Sequence, residues 1–151
     1  MLISMVFHCA ISSSFKQRSD RTGGSKLRLL VIDDEQAPRQ MLSDVLGLGS
    51  HEVVQASGGA EGIQLFGQGG YDAVFTDMDM PETNGADVVR HIRRTSPETP
   101  VISVSSKSQE DMETGCEPDA YLVKPYEITE VAPALQAAIE HRRSALTEQN
   151  T

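Results

Sequence analysis

The chain has 151 residues, with 22 acidic against 13 basic side chains and a formal charge of −9. That length suits one domain with a real core, and that charge argues against the nonspecific phosphate-backbone attraction on which most DNA binding depends, although a local basic patch stays open. Cys9 and Cys116 stand far apart in no CxxC spacing, and His8, His51, His91 and His141 are scattered. A disulfide framework and a structural zinc site are therefore not expected, and a reducing cytoplasm fits.

Residues 2–11 form a mostly apolar run interrupted by Ser4 and His8. The run is too short to span a bilayer, and it lacks the basic lead and small-x-small cleavage site of a secretory signal. Residues 12–25 turn polar, with SSS and TGGS. Composition thus divides the chain into a flexible N-terminal extension (1–25), one folded domain (26–143) and a short polar tail (144–151).

Leu27, Leu29, Leu30, Val31 and Ile32 make a nearly continuous apolar strand, the pattern of a strand covered on both faces. It stops at Asp33, Asp34 and Glu35. Pro38 suits a helix first turn, and Met41, Leu42, Val45 and Leu46 follow at helical spacing until Gly47 and Gly49. Residues 52–56 read as a second strand. Ala60, Ile63 and Phe66 outline a helix that ends in Gly67, Gly69 and Gly70. Ala73, Val74 and Phe75 form a third strand, which runs out into Asp77 and Asp79. Pro81 cannot continue a ladder and Gly85 is permissive of positive φ, so a loop follows.

Val88, Val89 and Ile92 define the next helix, with Arg90, Arg93 and Arg94 on its other face. Residues 101–104 form a fourth strand ending at Ser105, residues 109–114 a short helix, and residues 120–123 a fifth strand closed by Lys124 and Pro125. The last helix carries Ile128, Val131, Ala132, Leu135, Ala138 and Ile139 at steps of three and four. Five strands alternating with five helices argue a parallel sheet covered on both faces.

In such a sheet, function gathers beyond the carboxyl ends of the strands. Here those ends supply Asp33 and Asp34, Asp77 and Asp79, Ser105, and Lys124. Converging carboxylates repel one another unless a cation sits among them, and Mg²⁺ suits hard oxygen ligands and keeps waters that a phosphate can displace. Lys124 then offers a compact positive charge to a phosphoryl oxygen, and Ser105 a hydrogen bond. Singly, each residue has an ordinary structural explanation: a helix cap, a turn, a strand end. Their joint placement is what points to a site.

The motifs VIDDE (31–35), DMDMPETNG (77–85), VISVSS (101–106) and YLVKP (121–125) make residues 27–141 resemble a receiver domain of two-component response regulators. The resemblance implies a flavodoxin-like five-stranded sheet of order 2-1-3-4-5, with Asp77 as phosphoacceptor. It implies direct Mg²⁺ binding by Asp34, Asp77 and the Asp79 backbone carbonyl, with Asp33 assisting mainly through water. Ser105 and Lys124 are implied to contact the phosphoryl group, Ser105 and Tyr121 to form a switch pair, and Met80, Pro81 and Gly85 to shape the loop.

The implied partners are a sensor histidine kinase or phosphotransfer protein and a downstream protein, met on a face made by the fourth helix, fifth strand and fifth helix. Neither nucleic acid nor membrane is an expected partner, and the expected state is a monomer or a phosphorylation-linked dimer. The short tail leads to the expectation of a single-domain regulator, a phosphoacceptor and not an enzyme that turns over an external substrate. Ser105 stands where the family most often has Thr, and the stretch from Ser105 to Lys124 is shorter than usual, which leaves the helix-four surface open.

Two rival readings remain. Asp77-Met78-Asp79 is also a DxD pattern of haloacid-dehalogenase-type phosphatases, although there the motif usually follows the first strand. A receiver-like binding module that signals without phosphate usually lacks one of the acidic or lysine positions, and all are present here.

Overall fold

The computed structural model describes residues 25–112 and 115–150. Five parallel strands, β1 (Arg28–Ile32), β2 (Glu52–Ala56), β3 (Ala73–Asp77), β4 (Val101–Ser105) and β5 (Ala120–Val123), lie in the order β2-β1-β3-β4-β5. The helices are α1 (Gln36–Leu48), α2 (Gly59–Gly67), α3 (Gly85–Thr95) and α4 (Ile128–Gln149). The fold is flavodoxin-like, and residues 1–24 of the expected extension lie outside the described residues.

Strand periodicity divides the core in two. Leu29 and Val31 turn to one face, where with Phe75, Ile102 and Leu122 they pack against Leu42 and Leu46 of α1 and Val131, Leu135 and Ala138 of α4. Leu30 and Ile32 turn to the other, with Val74 and Val101, against Phe66 of α2 and Val88, Val89 and Ile92 of α3. This is why β1 reads as an unbroken apolar run instead of an alternating one. Every residue of the central strands β3 and β4 is buried. Truncating Phe75, which is fully buried, should cost about 3–5 kcal/mol.

One expected helix is not formed among the described residues. Residues 109–112 hold a single 3-10 turn, Gln109–Asp111, in place of an α-helix, and residues 113 and 114 of the expected helix lie outside the described residues. The reason is local. Of the apolar side chains in and just after it, Met112 is only half-buried and Cys116 is buried, Gly115 takes φ +83, and so short a segment has too few internal hydrogen bonds to hold itself. Conversely, α4 runs on to Gln149, through the stretch that composition assigns to a polar tail. Ala145, Leu146, Glu148 and Gln149 are good helix formers and need no core to continue it.

The amino end of the sheet is tied by one buried carboxylate. Asp119 Oδ2 accepts from Arg93 Nη2 of α3 at 2.7 Å and from the Val101 amide of β4 at 2.8 Å. Its Oδ1 accepts from Arg142 Nη2 at 2.7 Å and Nε at 2.8 Å, and lies 2.9 Å from His141 Nδ1. A single side chain thus ties helices from both faces to the entrance of β4. Burial alone pushes the Asp119 carboxyl upward, but Arg142, His141, the Val101 amide and Arg93 together hold it below its ordinary value.

Candidate functional site

At the opposite, carboxyl end of the sheet, parallel pairing brings the ends of β1, β3, β4 and β5 together. Register sets Ile32 beside Thr76 and Asp77 beside Val104. The residues just past β1, Asp33 and Asp34, therefore meet Asp77. One carboxylate oxygen from each of the three lies within 4.8 Å of the others. Asp33 is 5% exposed and Asp77 4%, whereas Asp34 is open to solvent.

Hydrogen bonds fix this arrangement. Asp33 Oδ1 accepts from the Glu35 amide at 2.9 Å, and Arg39 Nη1 donates to the Asp33 carbonyl at 2.7 Å. Asp77 Oδ1 accepts from the Asp79 amide at 3.0 Å, which holds the Asp79 backbone next to the Asp77 carboxylate. Lys124 follows β5 immediately, and its Nζ donates to Asp77 Oδ2 at 3.3 Å and stands 3.6 Å from Asp33 Oδ2. Its own amide donates to the Ser105 carbonyl at 2.8 Å, locking the end of β5 to the end of β4.

The electrostatics are those of an undercompensated anionic pocket. Burial raises the Asp33 carboxyl above its ordinary range; the Glu35 amide offsets part of this, and Asp77 adds to the rise. Burial pulls the Lys124 ammonium down, but Asp77 and Asp33 outweigh it and its pKa ends higher than usual. Lys124 reaches two of the three converging carboxylates, Asp33 and Asp77. Hard oxygen donors, two of them buried and the third open to solvent, suit a divalent cation that keeps part of its water shell. The residues present therefore fit Mg²⁺.

The loop after β3 is built by contact. Gly85, at the start of α3, is needed for space and not for a positive φ: a Cβ there would collide with the Asp77 carbonyl and lie 2.6 Å from Met78 Cα. Met80 is buried beneath the loop, Pro81 is exposed, and the positive φ falls on Glu82 instead. Asn84 and Asp87 close a capping box that starts α3.

Ser105 is buried at the end of β4, but its hydroxyl points toward Asp79, 3.4 Å from Oδ2, and accepts from the Lys107 amide at 3.0 Å. Tyr121 is half-buried on β5 opposite Ser103, one same-face step short of Ser105's level, and no hydrogen bond joins it to Ser105. One residue at the site was not singled out from sequence: Lys107, whose Nζ pairs with Asp79 Oδ1 at 3.1 Å. Its only signal was a lysine two positions past the strand-end serine.

A doubly wound parallel sheet that gathers three aspartates and a lysine at its carboxyl edge defines a flavodoxin-like domain with an acidic cation pocket. The profile of the response regulator receiver domain matches residues 29–136, and the chain belongs to that family. Receiver domains are phosphoacceptor signalling modules of two-component systems that bind Mg²⁺ in an acidic pocket and interact with histidine kinases or phosphotransfer proteins.

The transcriptional regulatory protein YkoG of Bacillus subtilis, itself uncharacterized, is 32% identical over 117 residues, covering 76% of this chain and 51% of YkoG. The chain spans about half the length of the curated relatives it matches. A receiver domain protein from Clostridium thermocellum superposes with a TM-score of 0.69 at 31% identity, covering 79% of this chain and 98% of that one. The response regulator TrrA from Thermotoga maritima, in complex with Mg²⁺-BeF, gives a TM-score of 0.66 at 31% identity, covering 72% and 95%. Among the described residues no helix is long and apolar enough to cross a membrane.

Proposed function

We propose that Asp77 is the phosphoacceptor of a response regulator whose phosphoryl donor is a sensor histidine kinase or a phosphotransfer protein. The observation that carries this reading is the Asp77 carboxylate itself. It is buried at the end of β3, 3.3 Å from Lys124 and within 4.8 Å of carboxylate oxygens of Asp33 and Asp34. A carboxylate oxygen of Asp77 attacks phosphorus, a P–O bond forms as the bond from phosphorus to the donor breaks, and the bonding pair leaves with the donor. Lys124 is placed to stabilise charge on the incoming phosphoryl oxygens. Asp33, Asp34, Asp77 and the Asp79 carbonyl would hold Mg²⁺, which when bound offsets the charge of the phosphoryl group.

Ser105 is the local sensor in this reading. Among the described residues its hydroxyl is engaged by a long contact to Asp79 and by the Lys107 amide, so it can turn to a phosphoryl oxygen on Asp77. Tyr121, half-buried on the neighbouring strand, is placed to follow. The surface that changes is made by β5, α4 and the loop carrying the 3-10 turn, where a fourth helix was expected, and it would meet a downstream protein. An acyl phosphate on Asp77 must be lost to hydroxylamine. A phosphoryl adduct that survives hydroxylamine would be an ester on another residue and would overturn the assignment.

A further inference from the structure

Away from the acidic pocket, an open apolar groove of about 570 Å³ runs along α1, lined chiefly by Ala37, Met41, Val45, Leu48 and Ile128. Leu48 is 83% exposed, Ile128 59% and Met41 45%; among the described residues the remaining exposed large hydrophobic is Val123. Exposed apolar side chains are ordinary singly, but three gathered on one groove form a patch that calls for an occupant.

The chain supplies a matching one. Residues 2–11, LISMVFHCAI, are apolar but for Ser4 and His8, and they lie outside the described residues. The chain enters the described fold beside the groove, since the Leu27 amide donates to His51 Nδ1 at 3.2 Å and His51 stands three residues past Leu48. Residues 12–24 can reach about 40 Å when extended. The whole of α1 is only about 20 Å long. Charge agrees as well: this connecting stretch holds Lys16, Arg18 and Arg21 against Asp20, while Asp44 lines the groove of a chain whose formal charge is −9.

We propose that residues 2–11 bind back into the groove formed by Ala37, Met41, Val45, Leu48 and Ile128 of the same chain, covering the outer face of α1. A short tether presents the segment at an effective concentration of the order of millimolar, so occupancy of the groove does not depend on protein concentration. The far end of the groove, at Ala37 and Ile128, lies four residues past Asp33 and four past Lys124, so the cover reaches toward the rim of the acidic pocket. Whatever displaces the segment uncovers an apolar surface there.

Cys9 lies within the segment and Cys116 is buried, which makes disulfide trapping selective. Full-length Asp44→Cys protein, treated with a mild oxidant, should form an intramolecular disulfide to Cys9 in a yield independent of protein concentration. Adding Leu48→Ser should lower that yield several-fold, and Gln64→Cys, on α2 across the sheet, should trap several-fold less. Equal trapping at positions 44 and 64, or none at 44, would overturn the proposal. So would covalent dimers that rise with concentration, since they would place a second copy on the groove. Hydrogen exchange on the unmodified protein guards against a misfolded variant: amides of residues 2–11 should be protected, and free exchange there contradicts intrachain docking.

Discussion

Lys124 and Asp77 face each other across the carboxyl edge of the sheet, ammonium to carboxylate at 3.3 Å, and the same ammonium lies 3.6 Å from Asp33. One cation therefore bridges β1, β3 and β5, and it is outnumbered. Asp33 ends with a raised pKa in spite of Lys124, because burial and Asp77 together outweigh the lysine.

A cation bound by the native state and not by the unfolded chain should stabilise this protein by mass action. At a Mg²⁺ concentration 100 times its dissociation constant the gain would be about 2.7 kcal/mol. Thermal melting in millimolar Mg²⁺ should show a higher Tm than in chelator, with a smaller rise for Asp34→Ala. An unmoved wild-type melting curve would remove the acidic pocket as a metal site.

The buried Asp119 makes a second, independent prediction. Asp119→Asn leaves Arg93 and Arg142 without their shared carboxylate and should cost about 3 kcal/mol at neutral pH. The Asp119 carboxyl sits below its ordinary value of 3.8 in the folded state, so its contribution is full above that pH and is lost as pH falls through the depressed folded value. Urea unfolding of wild type and variant should differ most near neutrality and converge in acid. A difference that does not shrink below pH 3.8 would mean that packing, not charge, is what the aspartate provides.

The loop between β4 and β5 carries the third. Among the described residues of 107–118 there is one 3-10 turn, and the buried side chains are Cys116, whose Sγ lies 3.8 Å from the Ala86 carbonyl, and Pro118. Such a segment belongs to the low-stability end of a molecule and opens far more often than the sheet. Its amides should exchange rapidly without phosphate and gain protection on phosphorylation, as Ser105 turns from Asp79 toward Asp77. Slow exchange before phosphorylation would leave α4 and β5 as the only candidates for a responsive surface.

How much of this was legible in the residues follows from how local each feature is. The strand-end aspartates, Ser105 and Lys124 could be read because each ends an apolar run, and a parallel sheet brings such ends together whatever the loops do. The missing helix was not legible from a few polar residues at helical spacing; whether Gln109–Asp111 grows into a helix depends on apolar partners that tertiary packing does not provide. The sequence reads Gly85 as permissive of positive φ in a loop, but the close approach of α3 to the end of β3 is what excludes a side chain there. The Asp119 cluster gave no sequence signal, because Arg93 and Arg142 reach it from 26 and 23 residues away. Lys107 needed the path of its loop before its pairing with Asp79 could be seen.

The central claim is that a single carboxylate, Asp77, receives the phosphoryl group. Intact-mass analysis of the full-length protein, incubated with Mg²⁺ and a small acyl-phosphate donor, tests it most directly with wild type beside Asp77→Asn. Wild type should gain the mass of one phosphoryl group and Asp77→Asn should gain none. Labelling of Asp77→Asn to the same extent as wild type would contradict the account.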